Sequence, residues 1–320
     1  MIHRSKIEFY VLGACALTIV FSFANSALAV EGGLGRPISG MQIVPFAGLV
    51  PPEPGLAVSV AETYYTGSIG GNTQTEIAGL LVANVDVKAS FTPISLLYIW
   101  PTPTKEWNFA SVVGFPLAWL QCEASLSLGP FAVRKKDDIF GLFDLVFTPI
   151  IASHHFSETD HLAFDFTVWA PTGSYELGKL ANLSLNNWTF IPGVAYTKII
   201  PEINLELSGI WDMEFYTENP DTHVQNGILS DLEVLAIKRF KNGFGIGFVE
   251  SWIQQITDDD GIPAALDGFV GRAFGIGPIV TYSTKIGKSH LDFNARWIHD
   301  FDVSKRVEGD GFNLTASLKF

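Results

Sequence analysis

The residues with the clearest capacity for chemistry lie in the stretch HHFSETDH, residues 154–161. Histidine near a serine and a carboxylate can activate a nucleophile, and histidines can also bind metal ions. The same stretch, however, is a predicted tight turn between two strands. His154 and His155 are neighbours in an extended chain and must point to opposite faces, so they cannot hold one ion together. The sequence therefore predicts neither a catalytic nor a metal site here.

Two other motifs also fail as sites. TDDDG, residues 257–261, has closely spaced carboxylates but lacks the rest of a twelve-residue calcium loop and its closing glutamate. The glycine-rich run GFGIG lies inside a predicted strand rather than between a strand and a helix, which excludes a nucleotide fingerprint. We expect a protein that is not an enzyme and needs no cofactor, with no catalytic and no metal-binding residues.

The composition indicates a β-rich chain that does not bind nucleic acid. The 320 residues are 48% hydrophobic and 17% charged, and they include 30 glycines, which favours many short strands over helices. The net charge of −13 and the absence of a basic cluster argue against nucleic acid as a partner.

The N-terminus has the pattern of an export signal. Arg4 and Lys6 precede an apolar run, residues 9–23, and Ala27-Leu28-Ala29 has the small-x-small pattern of a cleavage site. We therefore predict a cleaved signal peptide at residues 1–29. Its removal leaves Cys122 as the single cysteine, so an internal disulfide is not possible.

The rest of the chain alternates between apolar and polar residues. No run after Ala29 approaches the roughly 20 apolar residues that a membrane helix needs. Instead, segments such as NLTASLKF, residues 313–320, place apolar side chains on one face and polar ones on the other. About twelve such segments follow one another, an even number, as bacterial barrels require. Alternation alone would also suit a soluble sandwich.

Loop lengths distinguish the two folds. With both termini in the periplasm, the connections on that side are short (PTPTKE, SETD, IIPE, KNG and KIGK), whereas those on the other side are mostly long and polar, including GSIGGNTQTE and GPFAVRKKDD. This sorting is typical of outer-membrane barrels. We therefore predict an all-β fold, a transmembrane antiparallel up-and-down β-barrel of about twelve strands formed by residues 56–320, in the bacterial cell outer membrane.

Several motifs resemble a known family. The stretches FGLFDLVFTPIIASHH (140–155), APTGSYELGKLANLSLNNWTFIPGVAYT (170–197) and AFGIGPIVTY (273–282) are similar to the bacterial outer-membrane proteins grouped as "Putative MetA-pathway of phenol degradation". The resemblance covers nearly all of the chain after the signal peptide. It implies a single transporter-like barrel that passes hydrophobic or aromatic compounds, with no catalytic residues to transfer.

Strand parity predicts a mixed, mainly acidic lining of the barrel lumen. The predicted lining residues are Asp86, Lys88, Asp144, Asp165, Glu206, Asp212, Glu214, Asp231, Glu233, Asp292, Asn294 and Arg296. These charges could screen permeants along a water-filled path, because carboxylates favour cations and repel anions. Alternatively, they pair across neighbouring strands and fill a narrow lumen. Both interpretations stay open from the sequence.

The segment before the first strand, residues 30–55, is rich in glycine and proline but contains the apolar stretch MQIVPFAGLVPP. It is either a plug inside the lumen or a periplasmic tail packed under the barrel. At the other terminus Phe320 closes an alternating strand, and we predict that it is read by the barrel-assembly machinery.

The sequence therefore predicts a channel or transporter for passive uptake of small hydrophobic or aromatic molecules. Its other expected partners are outer-membrane lipid and lipopolysaccharide. Two alternatives remain: a structural or adhesive barrel with a closed lumen, and a lipid-modifying outer-membrane enzyme.

Overall fold

The computed structural model describes residues 35–320 except 129–130, 262–265, 267–269 and 288. The predicted signal peptide lies outside these residues. The described chain forms thirteen strands: β1 (Gly55–Ile77), β2 (Leu80–Ile99), β3 (Trp107–Leu128), β4 (Phe131–Leu142), β5 (Leu145–His155), β6 (Asp160–Ala170), β7 (Thr189–Ile200), β8 (Leu205–Tyr216), β9 (Leu229–Arg239), β10 (Phe244–Gln255), β11 (Arg272–Ile286), β12 (Ser289–Ser304) and β13 (Glu308–Lys319). A short 3₁₀ turn, Pro201–Ile203, joins β7 to β8.

These strands close into a barrel. Each pairs in the antiparallel sense with its neighbours, and β13 returns to pair with β1, with Ala57 opposite Lys319 and Thr66 opposite Asp310. Closure pairs the backbone groups of both terminal strands, so neither β1 nor β13 has a free edge along the stretch that they share. The end that holds Gly55 and Lys319 is called the terminal end below, and the opposite end is called the loop end.

β4 and β5 together form one position in the wall. β5 pairs with the first half of β3 and β4 with the second half, and the chain leaves the ladder between them at Phe143 and Asp144. Pro116 of β3 lies opposite this break, where its nitrogen has no hydrogen to donate. Twelve strands therefore surround the lumen, and the predicted fold and strand number are confirmed.

The outer face of the barrel is apolar. Large hydrophobic side chains are exposed along most strands, including Phe164, Trp211, Phe248, Trp297 and Leu314. The alternate residues on the same strands point inward. This apolar-out pattern is the one that lets a closed sheet lie in lipid. No helix in the described part of the chain is long and apolar enough to cross a membrane.

Two of the predicted loops are strands instead. The stretch GSIGGNTQTE belongs to β1, which runs on to Ile77 and turns at Ala78 and Gly79, with φ of 47° and 79°. Positive φ at both central residues is typical of a tight type I′ hairpin. Most of GPFAVRKKDD likewise belongs to β4. The prediction was wrong because these parts of β1 and β4 extend out of the membrane, where neither face of a strand has to be apolar. They therefore lack the alternation of apolar and polar residues that marks the membrane-spanning parts of the strands.

Candidate functional site

A segment that precedes β1 passes through the barrel. Residues 35–50, here called the lumen segment, contact inward-facing side chains from strands on several sides of the ring. Ile43 is fully buried and packs in one cluster with Leu235, Ile237, Val249, Ile279 and Ile298, which come from β9, β10, β11 and β12. The lumen is therefore occupied by the protein's own chain along this side of the wall.

Polar wall residues bind the backbone of the lumen segment at mid-height. The Glu233 carboxylate accepts hydrogen bonds from the amides of Gln42 and Ile43, at 3.1 and 2.7 Å. The Arg296 guanidinium donates to the carbonyls of Gly40 and Ile43, each at 2.8 Å. A segment without secondary structure must satisfy its buried backbone groups in this way.

A second anchor lies toward the terminal end. The amide of Phe46 donates to Glu206, which is also paired with Arg239, and the Arg239 guanidinium carbon lies 4.1 Å from the centre of the Phe46 ring. Gly48 then donates to the Thr197 hydroxyl at 2.9 Å and accepts from the Ser153 hydroxyl at 2.7 Å. A Cβ at Gly48 would lie 2.6 Å from the His161 carbonyl oxygen, so only glycine allows this close approach to the wall.

A third anchor lies toward the loop end, where Arg36 and Asp144 form a buried ion pair at 2.8 Å. Arg36 also donates to the Thr189 hydroxyl and the Asn187 carbonyl. Asp144 additionally accepts hydrogen bonds from the backbone amides of Thr172, Gly173 and Leu185. One carboxylate in the break between β4 and β5 therefore holds both the lumen segment and the loop that follows β6.

That loop, residues 171–188, is here called the cap loop because it folds against the inner side of the loop end. Leu180 and Ala181 are buried in a cluster with Val82 and Val85 of β2. Gly178 donates to the Ala78 carbonyl at 2.8 Å and accepts from Lys135 at 2.7 Å. The lumen is thus covered at this end by a loop that is fixed to β1, β2 and β4.

An apolar cavity of about 440 Å³ remains beside the lumen segment. Its wall comes mainly from β1, β2 and β3, including Val87, Ala89, Phe91 and Leu120, while Met41 and Val44 face it from the lumen segment. Phe143, Trp169 and Arg36 border it near Asp144. The lumen therefore has two sides, one packed with chain and bonded through polar groups, and one open and apolar.

Ten of the twelve predicted lining residues lie on the inward face. Asp144, Glu206, Glu233 and Arg296 bind the lumen segment, and Asn294 accepts a hydrogen bond from Arg296. Asp165, Asp212, Glu214 and Asp231 follow the same inward parity on β6, β8 and β9, and Asp292 does so near the terminal end, where it is exposed.

The prediction was wrong for Asp86 and Lys88, which are exposed on the outer face of β2. Asp86 pairs there with Arg134 of β4. The inward residues of this strand are Val85, Val87 and Ala89, which pack against the cap loop or line the apolar cavity. Because the lumen wall is itself apolar at this point, the rule that apolar residues face lipid gives the reverse orientation.

The inward carboxylates form an acidic row. Asp165 and Asp212 lie on either side of Gly193, where a Cβ would be 2.8 and 2.3 Å from their oxygens. Asp212 is directly opposite Asp231, whose two carboxylate oxygens are buried without a hydrogen-bond partner among the described residues. Among all the residues that the structure describes, no group of three or more His, Cys, Asp or Glu side chains is arranged to hold a metal ion.

The HHFSETDH stretch forms the predicted turn between β5 and β6. His155 and His161 lie opposite each other with their Nδ1 atoms 2.7 Å apart, while His154 contacts the rings of Trp107 and Phe156. The Ser157 hydroxyl donates to Asp160 at 2.8 Å. The Ser157 hydroxyl is therefore directed to a carboxylate, while His155 is bonded to His161 and to Asn108 of β3, so this serine is not aligned with a histidine base.

Sequence reasoning missed Arg36, Phe143 and Trp169. Each is unremarkable in the alternation pattern, and only the break between β4 and β5 brings them together. The apolar stretch MQIVPFAGLVPP, by contrast, signalled that the segment before β1 needs a protein environment.

The fold defines an outer-membrane β-barrel whose lumen is partly filled by its own chain. The family model described as "Putative MetA-pathway of phenol degradation" matches residues 66–316, and the chain belongs to this family. No curated protein matches the sequence.

Among solved structures, the chain is similar to an outer membrane channel from Pseudomonas putida F1, with a TM-score of 0.68 and 16% identity over 87% of this chain and 100% of the channel. Two autotransporter domains align more weakly. For the translocator domain of NalP from Neisseria meningitidis the TM-score is 0.45 and the identity is 10%, over 83% of this chain and 88% of that domain. For the β-domain of BrkA from Bordetella the TM-score is 0.47 and the identity is 10%, over 84% of this chain and 100% of that domain. At these identities the likeness concerns the fold.

Proposed function

We propose that this protein is a passive outer-membrane channel for small hydrophobic molecules, including aromatic ones, and that the lumen segment is its plug. The apolar cavity beside the lumen segment carries this proposal. A 440 Å³ space with an apolar wall is within the range of about 300–1,000 Å³ that small-molecule sites occupy, and it offers little to a sugar or an ion.

The anchors of the plug support a displaceable rather than a permanent filling. Glu233, Arg296 and Glu206 bind mainly backbone groups of the segment, and residues 35–50 contribute no strand to the wall. Removing the segment therefore breaks no rung of the barrel ladder. We infer that a permeant enters at the loop end past the cap loop, occupies the cavity and leaves toward the periplasm when the plug shifts.

A closed structural barrel is the second candidate, because both the plug and the cap loop fill the lumen. A reversible tether distinguishes the two. A Cβ at Gly275 would lie 2.7 Å from the Ser39 Cβ, so Ser39→Cys with Gly275→Cys needs a shift of about 1 Å to reach disulfide geometry. Cys122→Ser is included so that no other thiol reacts.

The assay is uptake of a radiolabelled alkylphenol into proteoliposomes containing lipopolysaccharide, before and after reduction of the tether. Comparing oxidised and reduced protein in the same vesicles cancels direct permeation through lipid. We expect uptake only in the reduced form, with each single-cysteine variant active under both conditions. Equal uptake in both forms would show that the plug need not move, and no protein-dependent uptake in either form would favour the closed barrel.

A further inference from the structure

One end of the cavity is bordered by aromatic rings. Phe143 and Trp169 meet at 6.0 Å between ring centres and an interplanar angle of 82°, and Phe91 meets Phe143 at 5.4 Å and 86°. All three side chains line the cavity. Such edge-to-face chains are the arrangement that aromatic rings prefer, and a further ring added to one continues the same geometry.

A cation completes this end of the cavity. The guanidinium carbon of Arg36 lies 5.0 Å from the centre of Trp169 and 5.7 Å from that of Phe143. The Arg36 side chain is nearly fully buried and is fixed by Asp144, Thr189 and Asn187, so its position is set before any ligand arrives. A guanidinium attracts the negatively charged face of a π system and has no such attraction for a saturated ring.

We propose that Phe143, Trp169 and Arg36 form an aromatic subsite that gives the cavity a preference for unsaturated over saturated rings of the same size. This inference rests on the proposed function only in taking the cavity as the place where the permeant binds. The ligand class is a neutral, single-ring aromatic molecule. Phe143 and Trp169 contact it through their rings, and Arg36, which Asp144 holds over both rings, keeps them in position.

A matched pair of probes isolates the π system. We use 4-fluorophenol and 4-fluorocyclohexanol, which share the hydroxyl, the fluorine and the six-membered ring, and measure binding to the purified, folded barrel by ligand-observed fluorine NMR, with empty micelles as the background. The wild type should bind the phenol roughly two- to tenfold more tightly, the range that aromatic pairs contribute.

Trp169→Leu and Phe143→Leu should each reduce this preference, because loss of a ring should lower the affinity for the phenol more than the affinity for the cyclohexanol. The control is Phe166→Leu, which removes an aromatic ring from the outer face of the same strand, three residues from Trp169. It should keep the preference. A general loss of structure would weaken both probes together and is also visible as loss of the heat-dependent shift of a folded barrel in gel electrophoresis.

The preference surviving in both Trp169→Leu and Phe143→Leu would overturn the subsite, as would a wild type that binds the two probes equally. These results are independent of the tether experiment. Uptake that depends on the tether, without a preference for the aromatic probe, would support the channel and contradict the subsite. A preference for the aromatic probe without uptake would support a binding site in a barrel that does not transport.

Discussion

Removing the Arg36 side chain should unlock the loop end of the plug. In Arg36→Ala the ion pair with Asp144 and the hydrogen bonds to Thr189 and Asn187 are lost. Breaking a buried ion pair costs about 3–5 kcal/mol. Asp144 keeps its three backbone donors from the cap loop, so its charge stays solvated and the lower end of that range applies. A loss of about 3 kcal/mol from the plugged state raises the open-to-plugged ratio roughly 150-fold.

Single-channel recording in planar bilayers measures this ratio as open probability at low voltage. Arg134→Ala is the matched control, because Arg134 also pairs with two carboxylates, Asp86 and Glu123, but on the exposed outer face. Exposed pairs such as these contribute little to stability because water and salt screen them, and these residues do not contact the plug. An open probability for Arg36→Ala within threefold of the wild type would refute the reasoning that this ion pair holds the plug in place.

Three further predictions concern the wall, the acidic row and the C-terminus. Gly48→Ala should raise the open probability, because its Cβ would collide with the His161 carbonyl and the Thr197 amide, whereas Gly70→Ala, which meets nothing within 4 Å, should not; both are measured in the same bilayers. In a variant lacking residues 41–52, replacing Asp212 and Asp231 with Asn should lower the potassium-to-chloride permeability ratio measured from reversal potentials, and an unchanged ratio would argue against an acidic path. Phe320→Asp should reduce the amount of folded barrel in the outer membrane, as judged by heat-modifiable mobility, and Phe320→Tyr should not; normal assembly of the Asp variant would contradict the role of Phe320 as an assembly signal.

The parts of the fold that meet lipid could be predicted from the sequence. On β8 and β13 the lipid is a uniform apolar environment, so Trp211, Phe215, Phe312 and Leu314 mark the outward face without ambiguity. Where a strand leaves the lipid this constraint ends. Residues 67–76 of β1 and most of residues 129–138, which belong to β4, consequently read as loops, although the ladders with β2 and β3 continue into them.

The inside of the barrel could be predicted only where it is polar. The inward parity of Glu206, Glu233 and Arg296 follows from their strands, but what they bind depends on a segment more than 150 residues away. Where the lumen is apolar, the same rule fails, as it does for Asp86 and Lys88. Phe143, at the break between β4 and β5, could not be assigned to the inward or the outward face by alternation, because it lies outside any strand.

The inward charges had two interpretations, a charged path for permeants and a set of paired groups that fill the lumen, and the lumen segment bears on both. A ring of twelve strands leaves more space than its own side chains fill, and a row of carboxylates in that space would need water or cations as partners. Here Glu206 and Glu233 accept hydrogen bonds from backbone amides of the segment, and Asp144 accepts one from Arg36. In the proposed channel, the carboxylates that would favour cations in an unplugged barrel therefore serve as the binding surface of the plug in the closed state. Displacing the plug must return them to water, which links any opening by a hydrophobic permeant to hydration of the polar side of the lumen.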